Sequence, residues 1–180
     1  MRRSVKWELS TCAALVFALL YFFDGSGIIS AAVPAAAAHE LGHLLLLRLY
    51  GRPLRSVRIG LFGMELDYAG ALDGAEAALC AFAGPLFGAV YALAACTLGG
   101  AFLELSGALS FAFSVFNLLP ILPLDGGRIV EALAGARPGC ILSRVFAVIL
   151  FAAGVTAAIR FRFPAPLMMS VWLLLRNFRR

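Results

Sequence analysis

The chain has 180 residues, of which 62% are hydrophobic and 14% charged, and its formal net charge is +5. Soluble domains have about 45–50% apolar and about 25% charged residues, so this composition excludes a soluble domain and a disordered chain and indicates a polytopic membrane protein. The basic residues are spread between apolar blocks instead of clustering on one face, which excludes a nucleic-acid-binding protein.

Six apolar runs follow one another, and one membrane span needs about 20 residues. The sixth run is short for a span unless the helix tilts or its flanking side chains reach the membrane surface. The first run follows a basic start and resembles a cleaved secretory signal, but cleavage would leave the next motif near a raw N-terminus, so we expect a retained span. We predict an all-α polytopic membrane protein, with residues 1–180 forming a single transmembrane domain. The predicted spans cover residues 9–23, 28–50, 75–98, 101–119, 141–159 and 163–175.

The distribution of lysine and arginine predicts the orientation. If six helices alternate and the N-terminus is cytoplasmic, every basic residue except Arg160 and Arg162 lies on the cytoplasmic side. Cytoplasmic loops carry such an excess of basic residues. We therefore predict a multi-pass protein of the plasma or inner membrane with both termini in the cytoplasm.

Residues 54–68, directly after the second run, are not helical in pattern. Apolar and polar residues alternate on both sides of Phe62-Gly63, and this period of two predicts a β-hairpin on the cytoplasmic side. The hairpin either shields the membrane surface or has a functional role.

The second run contains the motif H-E-x-x-H, from His39 through Glu40 to His43. Two histidines four residues apart share one face of a helix and can bind one metal ion, while Glu40 beside them can act as a general base. These are the only histidines in the chain, and ionisable groups within a span are functional candidates by default. The alternative is that they join helices through hydrogen bonds.

A catalytic zinc needs a third protein ligand. Once the carboxylates near the N-terminus, on the outer side and around the hairpin are set aside, Asp125 and Glu131 remain. Pro120, Pro123 and the glycines after Asp125 argue against a continuous helix, so an irregular segment can aim the Asp125 side chain at a metal. A short amphipathic piece would follow over 128–136. A cytoplasmic turn is the alternative, but beside an incomplete zinc site we favour Asp125 as the ligand.

Three motifs together resemble the site-2 protease family of intramembrane zinc metalloproteases. They are the H-E-x-x-H helix, Gly84-Pro85 in the third span, and N-x-x-P-x-x-P-L-D-G-G over residues 117–127. The six-span count resembles the branch that processes a sporulation transcription-factor precursor. We expect neither that branch's nucleotide-sensing repeats after the last span nor a PDZ-like insertion between the motifs.

The resemblance implies cleavage of a peptide bond in or near the transmembrane helix of a single-span membrane protein. One zinc ion per chain would be held by His39, His43 and Asp125, with Glu40 as the general base. The family also associates Asn117 with the active site, where its amide would donate to the substrate backbone or to the oxyanion. The alternative role of Asn117 is an interhelical hydrogen bond.

An extended substrate segment would pair with the edge of the hairpin by β-strand addition. The residues that we expect to form this edge are Val57, Ile59 and Leu61. Gly84-Pro85 would kink the third span near the site or else only allow close helix packing. The residues expected to shape the backbone around the site are Gly84, Pro85, Pro120, Pro123 and Gly126.

Three other functions are compatible with parts of this pattern. A catalytically inactive relative that binds membrane clients would normally lack Glu40 or a ligand. A metal transporter would carry internal repeats and a second polar span. A prenyl-peptide zinc protease would take a glutamate ligand from a later helix. Oligomeric state and substrate identity are not predicted.

Overall fold

The computed structural model describes residues 5–60, 63–162 and 164–179. Within these ranges seven helices hold most of the residues, and three short strands form one sheet. The predicted fold class is therefore confirmed. In chain order the elements are β1 (Lys6–Leu9), α1 (Thr11–Phe22), α2 (Ile28–Leu49), β2 (Leu54–Gly60), β3 (Gly63–Tyr68), α3 (Gly74–Leu98), α4 (Ala101–Asn117), α5 (Asp125–Ala134), α6 (Ala136–Phe161) and α7 (Ala165–Phe178).

Among the described helices, α2, α3 and α6 are long and apolar enough to cross a membrane. The apolar helices α1 and α4 are shorter, at 12 and 17 residues. Large apolar side chains face outward, and Phe22, Leu98 and Ile159 are each more than three-quarters exposed. Lipid is a suitable solvent for such surface and water is not. The chain is a multi-pass membrane protein, while the count of six spans stays a prediction.

The start of α2 is fixed by a carboxylate in the preceding turn. Asp24 accepts hydrogen bonds from the backbone N–H groups of Ile28, Ile29 and Ser30, and from the Ser26 hydroxyl. These donors include N–H groups that the first turn of a helix leaves without helical partners. Desolvation opposes ionisation of the carboxyl, but the hydrogen bonds outweigh it and hold the pKa of Asp24 below its ordinary value.

The predicted hairpin is present, with β2 and β3 paired antiparallel along their length. A third strand, β1, which the sequence did not predict, lies parallel to the other side of β2 and places Leu9 opposite Ile59. The prediction that Val57 and Ile59 form an exposed edge is therefore wrong, because the central strand already has backbone partners on both sides. Leu61 lies outside the described residues.

The chain divides into two compact units, and the predicted single domain stays a prediction. The first unit contains Met1–Leu72 and Ala83–Ser114, and the second contains Asp73–Phe82 and Val115–Arg180. Each unit is discontinuous in sequence, so neither corresponds to a simple half of the chain.

In the first unit, a row of buried serines on α4 joins this helix to its neighbours. The Ser106 hydroxyl donates to the carbonyl of Ala31 in α2 at 2.7 Å and lies 2.8 Å from the Tyr91 hydroxyl. One helical turn further on, Ser110 donates to the carbonyl of Gly88 in α3. Small polar residues let apolar helices approach closely and satisfy each other's polar groups. These bonds hold α2, α3 and α4 in register.

In the second unit, α5, α6 and α7 pack around Ile121, Leu124, Ala147 and Leu173, all of which are buried. The irregular segment expected after the fourth span is present over residues 118–124 and contains both predicted prolines, Pro120 and Pro123.

Two predicted boundaries in this unit are wrong. Helix α5 begins at Asp125 and not at Arg128, so Asp125 opens a helix and does not belong to the irregular segment. Its two glycines are accommodated in the first helical turn. Helix α6 begins at Ala136, ahead of the predicted residue 141, because Pro138 falls in the first turn, where a missing backbone N–H breaks no helical hydrogen bond.

Candidate metal centre

The two histidines of α2 converge as the spacing predicted. Their Nε2 atoms lie 3.2 Å apart and the ring centroids 4.9 Å apart. His39 is only 2% exposed and His43 is half-buried. Two imidazole nitrogens bound at about 2.0–2.1 Å to one tetrahedral zinc are about 3.3 Å from each other. The observed separation therefore fits a shared metal ion.

A glycine on α3 makes room for both rings. A methyl group built on Gly84 would lie 2.2 Å from Nε2 of His43 and 2.8 Å from Nε2 of His39. On α2, directly before His43, a methyl on Gly42 would lie 2.3 Å from the carbonyl oxygen of Ala83. These contacts show that the two helices approach at the imidazoles, so Gly84 allows close packing and borders the site at once. Helix α3 continues through the fully buried Pro85.

An aromatic residue that the sequence did not single out completes the surroundings of His39. The ring of Phe113, on α4, lies 4.8 Å from the imidazole centroid at an interplanar angle of 64°. An edge-to-face contact of this kind orients the imidazole and covers it with apolar surface. In the sequence, Phe113 is one of several phenylalanines in an apolar run, so its position carried no distinguishing signal.

Asp125 is the first residue of α5 and is 5% exposed. Leu124 before it is extended, with φ −60° and ψ 160°, so the chain turns into the helix directly at the aspartate. The two glycines after it pack against backbone: a methyl on Gly126 would lie 2.1 Å from the carbonyl oxygen of Leu118. Any larger side chain at Gly126 would displace this turn and the carboxylate with it.

Ligand atoms of His39, His43 and Asp125 all lie within 4.8 Å of one another. In the described ranges this is the group of histidine, cysteine and acidic side chains that could hold a metal ion. Glu131, the other carboxylate that the sequence left open, is half-buried on α5 and is not in the group. Two imidazoles and one carboxylate form a donor set that suits zinc.

The other two predicted polar residues lie on the helices that form these surroundings. Glu40 follows His39 directly on α2 and is half-buried. Asn117 is the last residue of α4 and is 8% exposed. The roles predicted for both stay predictions.

The fold resembles that of a protease of known structure. The site-2 protease from Methanocaldococcus jannaschii superposes with a TM-score of 0.71 at 16% sequence identity, covering 96% of this chain and 89% of that one. At this identity the likeness shows the fold alone.

Sequence comparisons show which family the chain resembles. Residues 100–160 match the model of peptidase family M50. A protein named as a zinc metalloprotease, Rip3 of Mycobacterium tuberculosis, is 34% identical over 135 residues, covering 68% of this chain and 34% of that protein. A second, sll0528 of Synechocystis, is 33% identical over 121 residues, covering 59% of this chain and 31% of its own length.

The chain thus matches peptidase family M50, the family of the site-2 proteases, over residues 100–160, and the relatives named above are zinc metalloproteases. It spans about a third of the length of these two relatives. The resemblance predicted from the three sequence motifs is thus confirmed at the level of the family, and the predicted sub-branch stays a prediction.

Replacing Gly84 by alanine should separate the two imidazoles. The added methyl would occupy the space now used by both Nε2 atoms, at a cost in strain of about 1–3 kcal/mol, and zinc affinity should fall at least about tenfold. Zinc titration of the purified protein measures this. Gly25→Ala is the control, because a methyl there meets no atom within 4 Å. Unchanged affinity in Gly84→Ala would show that the close contact does not shape the site.

Proposed function

We propose that this chain is an intramembrane zinc metalloprotease that hydrolyses a peptide bond in or near the transmembrane helix of a membrane protein. The observation that carries the proposal is the convergence of His39, His43 and Asp125. Two of these residues belong to the H-E-x-x-H motif of α2. This motif, together with the match to peptidase family M50, supports a hydrolytic role over simple metal storage.

In this proposal one zinc ion per chain is bound by His39, His43 and Asp125. The 3.2 Å separation of the imidazole nitrogens and the burial of His39 and Asp125 support the assignment. When bound, zinc lowers the pKa of a water molecule and polarises a carbonyl group. The remaining steps belong to side chains of this protein.

Glu40 is the proposed general base. It lies next to His39 in the sequence and on the same helix as both imidazoles, from where its carboxylate would act on a water molecule held at the site without being a ligand. It takes the proton of the attacking water and then delivers it to the amine that leaves. Its half-buried position leaves part of the residue accessible, as a general base requires.

Asn117 is the proposed donor to the substrate. Its side-chain amide would hydrogen-bond a backbone carbonyl of the substrate or the oxyanion that forms from it. The 8% exposure of Asn117 supports this role, since a donor shielded from bulk water stabilises developing charge more strongly.

The proposed substrate is a single-span membrane protein, cleaved in an extended form. Helical hydrogen bonds occupy the carbonyls of an intact transmembrane helix, so the substrate must unwind before its peptide bond is accessible. An extended segment can be held by strand addition. Because β2 is the central strand, the sheet offers β1 or β3 for such pairing and not the edge predicted from the sequence.

We further propose the plasma or inner membrane as the location, with both termini in the cytoplasm. The basis is the distribution of lysine and arginine, of which only Arg160 and Arg162 would lie outside.

Metal content tests the ligand set directly. Wild-type protein should contain one zinc ion per chain, and His39→Ala, His43→Ala and Asp125→Ala should each lose it, because three protein ligands are needed. Elemental analysis after dialysis gives the ratio. Glu131→Ala is the matched control and should keep its zinc. Full occupancy in Asp125→Ala would refute the assignment of that residue.

Substituting Glu40 by glutamine separates metal binding from turnover. The amide keeps the shape of the side chain but cannot accept the proton of water, so zinc should stay bound while kcat falls at least about 100-fold. Cleavage of a model single-span substrate is followed by gel mobility, with Glu104→Gln, on the exposed face of α4, as the control. Near wild-type turnover in Glu40→Gln would exclude Glu40 as the base.

Reporter fusions test the orientation. A reporter enzyme that is active only in the cytoplasm should be active when fused after residue 179. A reporter that is active only outside the cytoplasm should be inactive at the same position. A fusion at residue 162, in the predicted outer loop, should show the opposite pattern. The reverse result at residue 179 would contradict the six-span arrangement.

A further inference from the structure

One residue of the irregular segment before α5 has both of its backbone polar groups bonded to distant side chains. The N–H of Leu122 donates to the Ser143 hydroxyl at 2.7 Å, and its carbonyl accepts from the Asn177 side-chain amide at 2.6 Å. The Ser143 hydroxyl donates in turn to the side-chain oxygen of Asn177. Leu122, Ser143 and Asn177 thus form a closed ring, which we call the Leu122 clamp.

Both side chains of the Leu122 clamp are buried: Ser143 on α6 is 0% exposed and Asn177 on α7 is 2% exposed. The Asn177 amide also donates to the carbonyl of Leu173 in its own helix, at 2.9 Å. Its two donor hydrogens and its oxygen are therefore all used. An unsatisfied amide at such a position would cost about 1–3 kcal/mol, so the clamp is a specific arrangement that a small shift would penalise.

The clamped segment carries the first turn of α5. A methyl on Gly127 would lie 2.5 Å from the carbonyl carbon of Ile121 and 2.6 Å from the nitrogen of Leu122. Ile121 is itself fully buried in the core of the second unit. The turn that begins with Asp125 therefore packs directly against the backbone held by the Leu122 clamp.

A second buried polar residue of α7, Ser170, provides a comparison, because its hydrogen bond stays within its own helix. Ser170 is 0% exposed, and within the described part of the chain its hydroxyl donates to the carbonyl of Leu167 in its own helix, while it packs against Gly154 of α6. Such a residue contributes to the contact between α6 and α7 and does not touch the segment before Asp125.

We propose that Ser143 and Asn177 are positioning residues for Asp125, acting through the backbone of Leu122. This inference rests on the proposed metal site and adds to it a dependence on the last helix of the chain. Neither side chain touches substrate or metal; together they fix the place from which the carboxylate is presented. Residues that orient metal ligands typically affect metal affinity by about 10–100-fold.

The experiment compares Ser143→Ala and Asn177→Leu with Ser170→Ala in the full-length protein. In the metal-free state, hydrogen exchange of residues 118–127 should speed up at least about tenfold in the first two variants and stay at the wild-type rate in the third. Zinc affinity should fall about tenfold in the same two variants, and the visible spectrum of the cobalt-loaded protein should change. Turnover should also fall in these two variants, through a lower kcat with KM unchanged.

Two results would overturn the inference. One is wild-type exchange, metal affinity and kcat in folded Ser143→Ala. The other is an equal loss in Ser170→Ala, which would assign the effect to general loosening of α6 against α7. If Asn177→Leu does not fold, Ser143→Ala decides alone. Failure of the proposed function is separate: wild-type protein would then bind no zinc, and the exchange of metal-free protein would still report on the clamp.

Discussion

Two imidazoles on one apolar helix can share a metal ion only where the neighbouring helix leaves space for them. In this protein that space exists because position 84 carries no side chain, and both Nε2 atoms lie where its methyl group would be. Gly42 also lacks a side chain, and this lets the backbone of α2 approach the carbonyl of Ala83 in α3. The metal centre therefore depends on a close helix crossing, and the serines of α4 hold that crossing in register.

The apolar surroundings set a second requirement, because no bulk water is available to satisfy polar groups within a membrane. Several buried polar side chains in each unit meet it in the same way, by bonding backbone carbonyls. Ser106 and Ser110 bond carbonyls of neighbouring helices, and Asn177 bonds that of Leu122 in an irregular segment. In the first case the bonds fix helices, and in the second they fix a non-helical backbone that a membrane protein could not otherwise tolerate.

Several features could be predicted from the sequence because they depend on local periodicity. The helical spacing of His39 and His43, the hairpin and the irregular segment around Pro120 and Pro123 all belong to this class, and the structure contains them. The family resemblance followed from motifs of fixed spacing. The proposed catalytic roles of Glu40 and Asn117 rest on the same motifs.

What the sequence could not predict depends on contacts between distant segments. Strand β1 pairs with residues about 50 positions away, and only this pairing turns the expected substrate edge into a central strand. Phe113 and Asn177 acquire their roles from the elements they face, and neither differs by local pattern from its apolar or polar neighbours. The helical start at Asp125 has the same origin: two glycines weaken a helix in isolation, but here their lack of side chains lets the first turn of α5 rest on backbone. A residue that lowers local helix propensity is thus required by the packing that places the proposed metal ligand Asp125.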